Sequence, residues 1–376
     1  MTKVIANYLP QFHRIPENDR WWGEGYTDWT AVKQCQPLFE GHVQPKVPLD
    51  HHYYDLSQVE EIRRQAELAK RYGVYGFGIY HYWFRTGLQL LQTPAELLRD
   101  HPEIDIHYLF IWDNATWKRT WSNVRGANDW APLFEQEGEE QARDSGVLAE
   151  LCYGGKEDWK IHFEYLLPFF RDERYIKIGN KPVFGVFTQP LDPELLREMG
   201  QYWDELARKA GFAGMKMLGR MNSKNITAFD AQFTYEPPWD GWTWHTQVQR
   251  IWYKFSDMFL NKGKLTCFSY DEVWKKILKT ARSYAGKDIF LSGFVNYDDA
   301  PRRGKNGIVF TGGTPEKFGT YFGELLKISN EQQKELVFLT AWNEWGEGAY
   351  LEPDEENRYA YLEALKSAVD SAAGQR

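Results

Sequence analysis

Eight short apolar runs, with helical periodicity between most of them, constrain this chain more than any other feature. They are Lys3–Pro10 (KVIANYLP), Tyr75–Phe84 (YGFGIYHYWF), Ile106–Asn114 (IHYLFIWDN), Pro182–Thr188 (PVFGVFT), Met215–Arg220 (MKMLGR), Ala231–Trp239 (AQFTYEPPW), Phe290–Asn296 (FLSGFVN) and Leu336–Trp345 (LVFLTAWNEW). A strand with one face in water alternates polar and apolar residues. These runs are apolar nearly throughout, as parallel strands covered on both faces must be. Helix starts lie between them: Ser57 with Glu60, Asp192 before Pro193, Ser269 with Glu272, and Thr314 before Pro315, with Gly73 and Gly211 as stops. The pattern predicts an α/β fold, a single (β/α)8 TIM barrel spanning residues 1–376, with the fifth and sixth helices least marked. Such a barrel takes about 250 residues, so the surplus is expected in insertions, Thr116–Gly155 after the third strand and Asp240–Thr266 after the sixth. A doubly wound sheet is the alternative. It would carry G-x-G-x-x-G after the first strand, and none is there; Gly73, Gly76 and Gly78 sit before and inside the second run, where close packing accounts for them.

Aromatic residues make up 16% of the chain, including 17 Trp. All the Trp except Trp159, Trp203 and Trp274 fall at strand ends or in the loops after them. Core filling would not sort them that way, and flat rings gathered at one end suit ligands with flat faces, such as sugars. The net charge of -8 argues against nucleic acid or an anionic membrane as partner. Cys35, Cys152 and Cys267 form no CxxC pair, which predicts buried reduced thiols and neither a zinc cage nor a disulfide framework. The N-terminus has no apolar stretch of secretory type, and no run of about 18 apolar residues occurs, so a cytoplasmic protein with no transmembrane segment is expected.

In a barrel of this kind the working groups sit at the C-terminal ends of the strands. That rim collects Asn7, Tyr8, Gln11 and His13; Tyr80, His81 and Trp83; Trp112, Asp113 and Asn114; Glu236 and Trp239; Asn296, Asp298 and Asp299; and Trp342, Asn343, Glu344 and Glu347. The sharpest group is Trp342-Asn343-Glu344-Trp345-Gly346-Glu347-Gly348. Two acids at the end of an apolar strand are costly unless used or paired. Three residues apart on a turning backbone, they can approach to about 5–6 Å, which suits the ~5–5.5 Å of a retaining carboxylate pair. The alternatives are one Glu paired with Arg or Lys and the other solvated, or a cation held by His81, His13 and Asp113, for which no H-x-H or H-E-x-x-H spacing speaks. Trp21, Trp22, Trp29, Trp112 and Trp239 can floor a sugar ring, with Asn7, Gln11, Asn114 and Asn343 bonding hydroxyls. In the loop Asp298–Asn306, Arg302, Arg303 and Lys305 are either a solvated turn or a clamp for a phosphate or acidic sugar.

Several motifs, taken together, resemble a known family. They are Tyr8-Leu9-Pro10-Gln11-Phe12-His13, Pro16-Glu17-Asn18-Asp19 with Trp21-Trp22-Gly23, Tyr26-Thr27-Asp28-Trp29-Thr30, Pro37-Leu38-Phe39, Gln44-Pro45, and Trp342 to Gly348. The sequence is similar to the WbsX-type proteins, described as glycosyltransferases of surface-polysaccharide loci and classed near glycoside hydrolase family 99. Family 99 enzymes are retaining endo-α-mannosidases with the motif Asn-Glu-Trp-His-Glu-Gly; here Gly346 stands in the place of the His, which bears on the sugar rather than on the acid pair. The resemblance implies that Glu344 is the base assisting the substrate 2-hydroxyl through a 1,2-anhydro sugar. It implies that Glu347 is the general acid and then base.

The expected protein is therefore a cofactor-free retaining glycoside hydrolase acting on a bacterial glycan. A glycosyltransferase of O-antigen biosynthesis is the runner-up, and a non-catalytic carbohydrate-binding protein, which would not need the two strand-end acids, comes third.

Overall fold

The computed structural model describes residues 1–118, 147–187, 193–221, 228–229, 231–237 and 265–374. Each of the eight runs forms a barrel strand: β1 (Lys3–Tyr8), β2 (Gly76–Arg85), β3 (His107–Trp112), β4 (Lys181–Val186), β5 (Lys216–Arg220), β6 (Ala231–Phe233), β7 (Ile289–Phe294) and β8 (Leu336–Thr340). All eight pair in parallel in sequence order, and β1 closes the ring, with Ile5 opposite Gly76 of β2 and Val4 opposite Val337 of β8. Close packing does account for the second run's glycines: a Cβ on Gly76 would lie 2.6 Å from the His107 carbonyl oxygen.

The helices are α1 (Pro16–Trp22), α2 (Asp28–Gln34), α3 (Val59–Arg71), α4 (Thr93–Asp100), α5 (Lys156–Arg171), α6 (Pro193–Lys209), α7 (Tyr270–Arg282), α8 (Ala300–Arg303), α9 (Pro315–Glu331) and α10 (Ala360–Gly374). Helix α5 shows why they pack: Trp159, Phe163, Leu166 and Phe170 recur at helical spacing and are all buried against the barrel. Thr314 and Ser269 cap α9 and α7 through Lys317 N and Glu272 N. Helix α3, by contrast, begins one residue beyond Gln58 without a side-chain cap, because Ser57 is turned into the loop, its N–H on Asp55. The Asp192 cap lies outside the described residues.

The expected fifth helix would fall between β5, which ends at Arg220, and β6, which begins at Ala231; residues 222–227 and 230 there lie outside the described residues. Of the first expected insertion, Trp117–Lys118 pairs antiparallel with Val147–Ala149; residues 119–146, and 240–264 of the second, lie outside the described residues. A third insertion, residues 9–58 between β1 and α3, carries α1 and α2. Cys35 is buried but Cys152 and Cys267 are exposed, correcting the expectation of three buried thiols; all three are free. No helix among the described residues is long and apolar enough to cross a membrane.

Candidate active site

After β8 the chain does not enter a helix directly. Asn343–Glu344 pairs antiparallel with Ala349–Tyr350, and the residues between them, Trp345–Glu347, make one tight turn that ends on Gly348 at φ 58. Asn343 anchors this ribbon to β1: it accepts from Leu9 N at 2.7 Å and donates to Leu9 O at 3.0 Å. Trp345 is stacked on Tyr350 at 3.8 Å and donates its Nε1–H to the buried Glu352 carboxyl, which also accepts from Tyr54 OH. The turn thereby holds both Glu344 and Glu347 at the mouth of the barrel, buried.

Arg302, on the short helix α8 after β7, reaches into the same place. Its Nη1 lies 2.5 Å from Glu347 Oε1, and its Nη2 lies 2.7 Å from Asp28 Oδ2 and 3.3 Å from Glu344 Oε2. Gly346 makes room for it: a Cβ there would sit 2.6 Å from Arg302 Nε and 3.1 Å from Asp28 Oδ2. Arg303 pairs with Asp299 at 3.2 Å. The basic loop is thus neither a solvated turn nor an open phosphate clamp. Its two arginines sit on buried carboxylates, and Lys305 is not part of the cavity wall.

Asp298 joins the two catalytic-end segments. Its backbone N–H donates to Glu347 O at 2.7 Å, Oδ1 accepts from Ala300 N at 3.1 Å, and Oδ2 accepts from Gln44 Nε2 and His42 Nε2 at 2.6 and 2.7 Å. His42 Nδ1 accepts from Leu38 N, so its proton is on Nε2 and the ring is the donor to Asp298.

A cavity of about 280 Å³ opens here, at the C-terminal ends of the strands. Gln11, Trp22, Asp113, Arg302, Glu344 and Glu347 line it as expected, and Asn18, Tyr26, Asp28, Tyr80, Tyr82, Trp117, Phe187, Arg220, Tyr235 and Arg303 share the wall with Leu9, Ala115 and Leu148. Burial first, and the charge of Glu347 second, hold the Glu344 carboxyl well above its usual range, against the pull of Arg302. Burial raises Asp113 to about 6, opposed by Arg220, and Asp299 to about 7, opposed by Arg303. A wider depression of about 1070 Å³ lies at the other barrel end, around Lys3, Tyr75, His107 and Leu336, the end that in such barrels serves stability.

The remaining expected residues are elsewhere, and strand geometry explains most of them. Successive side chains point to opposite faces. In β2, Tyr80 and Tyr82 face the cavity, so His81 and Trp83 point outward to α5. There His81 Nε2 meets His162 Nε2 at 2.8 Å, and Trp83 stacks on His162 at 4.3 Å. Burial pushes His81 down to about 3; its ring, turned out to His162, does not meet Asp113 in the cavity, and no group of three or more His, Cys, Asp or Glu placed to hold a metal ion occurs among the described residues. Tyr8 likewise points outward, its OH on Gln65. Trp112 is buried with Nε1 on Trp83 O, and Asn114 donates to Tyr153 OH. Trp29 is core, packed against Phe12, Tyr54 and Trp345 with Nε1 on Tyr54 O. Asn7 and His13 are buried away from the cavity wall. On β6's exit Tyr235 lines the cavity and the next residue, Glu236, does not. Trp239 lies outside the described residues. Asp298 and Asn343 support the site from behind rather than facing it. Tyr80 of the rim inventory does line the cavity; among residues the inventory missed, Arg220 is the last residue of its run, and Tyr82 and Tyr235 share the inward parity with Tyr80; Asp28 and Tyr26 came only with the loop motif.

Residues 4–365 match the family described as glycosyltransferase WbsX. The chain is 30% identical over 380 residues to an uncharacterized protein, WxcX, in two strains of Xanthomonas campestris pv. campestris, covering 98% of this chain and 50% of those proteins. It spans about half the length of these curated relatives. Among solved structures, an endo-alpha-mannosidase of family GH99 from Bacteroides thetaiotaomicron aligns over 98% of this chain and 97% of its own, with TM-score 0.57 and 15% identity. One described as a glycoside hydrolase-like protein aligns over 98% and 94%, with TM-score 0.54 and 12% identity. At such identity the likeness is one of fold. The chain belongs to the WbsX glycosyltransferase family, a carbohydrate-active family, and carries it on a closed parallel (β/α)8 barrel.

Proposed function

We propose that this chain is a retaining glycoside hydrolase that cleaves a neutral glycan with Glu344 and Glu347. One observation carries this reading: two buried carboxyls share one cavity, and the arginines that a diphosphate donor would need are already bonded to carboxylates. A pair in which one carboxyl is held protonated and the other ionised offers both a proton donor and a base.

In the first step one carboxylate takes the proton of the substrate 2-hydroxyl, and that oxygen forms a bond to the anomeric carbon as the bond to the leaving oxygen breaks. The other carboxyl gives its proton to the leaving oxygen. In the second step water, deprotonated by the residue that has just lost its proton, bonds to the anomeric carbon as its bond to the 2-oxygen breaks, and the first carboxyl returns its proton to that 2-oxygen. Burial holds the Glu344 carboxyl well above its usual range, which favours Glu344 as the proton donor, whereas the family resemblance gives the acid role to Glu347. Reading and resemblance therefore differ on one testable point.

An aryl glycoside with a leaving group that needs no protonation separates the two. Each Gln variant should lose about 10²–10⁴-fold in kcat on an ordinary glycan. The acid's variant alone should recover most of its first-step rate on the activated aryl glycoside. Turnover of both variants on ordinary glycan comparable to the parent's would end the assignment. Calorimetric binding of a nucleoside diphosphate, lost on substituting Arg302, would place the protein with the transferases.

A further inference from the structure

Polar atoms sealed from water without a partner are uncommon in folded proteins, because each forfeits its hydration. Two such atoms lie in the wall of the cavity, on residues that the acid pair does not involve. Tyr26 is 7% exposed and its hydroxyl has no hydrogen-bond partner among the described residues; Trp117 is 7% exposed and its Nε1 has none among them either. Trp274 Nε1 and Trp342 Nε1 are unpartnered too, but neither lines the cavity, so a bare indole nitrogen alone would mean little. The coincidence is what matters: two separate loops, residues 9–58 and the segment after β3, each bring one unfilled polar atom to the same wall.

The rings are held in place without those atoms. Trp117 meets Tyr82, Phe84 and Trp21 edge-on at 5.0, 5.3 and 6.2 Å, and Tyr26 lies 6.0 Å from Trp22. Packing thus fixes both side chains and leaves the hydroxyl and the indole N–H to a ligand. An indole N–H can only donate, so its partner must be an acceptor oxygen, whereas the phenol accepts either sense. Neither atom carries charge, and both are framed by aromatic faces that suit the C–H face of a pyranose.

We propose that Tyr26 and Trp117 form a sugar subsite beside the carboxylates, in which a neutral pyranose lies against the aromatic wall, one oxygen accepting from Trp117 Nε1 and one hydroxyl bonded to Tyr26 OH. The inference deepens the hydrolase reading and rests on it for the word substrate, but not for binding.

Tyr26→Phe removes one hydroxyl and keeps the ring, whereas Trp117→Phe removes the indole N–H and part of the buried ring. Tyr26→Phe and Trp117→Phe are compared with the full chain by thermal shift and calorimetry against methyl hexopyranosides of glucose, galactose and mannose and their neutral disaccharides. If the subsite is real, at least one neutral saccharide stabilises the parent chain, binding weakens roughly three- to tenfold in each variant, and the unliganded Tyr26→Phe melts no lower than the parent because the lost hydroxyl had no partner to lose. The proposal is overturned if no neutral saccharide binds, if binding is unchanged in both variants, or if unliganded Tyr26→Phe is clearly less stable, which would make the hydroxyl structural. Hydrolysis is read separately. Saccharide binding that depends on both residues without any cleavage would keep the subsite and sink the hydrolase; cleavage with unaltered KM in both variants would do the reverse.

Discussion

Arg302 shows how much a single side chain can decide. A buried guanidinium against three carboxylates is stabilised by each of them and, in turn, lets them be buried. Gly346 and Arg302 are two halves of one arrangement: where the similar glycosidase motif carries His, this chain has no side chain at all, and the guanidinium fills the space. Gly346→Ala should therefore push Arg302 off the acid pair, costing about 1–3 kcal/mol of stability as overpacking does and up to about 10²-fold in turnover through misplacement. Urea titration and steady-state kinetics on one preparation check both. Unchanged kinetics would show that the guanidinium is not part of the working geometry. Asp298, fully engaged with His42, Gln44, Ala300 and the Glu347 carbonyl, sets the height of that turn.

At the level of elements, the strand positions were legible in the sequence because burial on both faces leaves an unbroken apolar run. Which strand-end residue turns inward was not. Apolar runs without alternation carry no phase, so His81 and Tyr80, or Glu236 and Tyr235, read alike until the register of the barrel is known. The insertion between β1 and α3 was equally silent: its motifs were visible, but the delivery of Asp28 to Arg302 depends on how α1 and α2 fold over the barrel mouth. The ribbon after β8 is held to β1 by Asn343 alone among side chains that bond Leu9 in the described residues. Asn343→Ala leaves the Leu9 N–H and C=O buried and unpaired, and should cost about 2–4 kcal/mol, seen as a lower urea midpoint with unchanged slope. A loss well under that would mean water reaches Leu9.

At the scale of the whole molecule, the buried carboxyls give stability a pH dependence of definite sign. Glu352 and Asp299 are each raised to about 7, Asp113 to about 6, and Glu344 is raised, burial being the first cause in every case. Their unfolded counterparts titrate near 4. Below that, both states hold the proton and nothing is lost; between about 4 and 7 the unfolded chain releases protons that the folded chain keeps, so stability falls as pH rises. The buried histidines His81 and His162, lowered by burial, pull the other way over part of this range, so the test is a difference: Glu352→Gln, which keeps an acceptor for Tyr54 and Trp345, should lose less stability than the parent as pH rises from 5 to 8. Parallel pH profiles of parent and variant would contradict the assignment. The sequence by itself determined the eight strands, the covering helices and the adjacent acids at the last strand's end, since all of these depend on local periodicity and spacing. Only the tertiary structure decided what those acids meet. Arg302 and Asp28 are 274 residues apart in the chain, and Tyr26 and Trp117 come from different loops; closing the barrel brings them together, and no local pattern of residues records that closure.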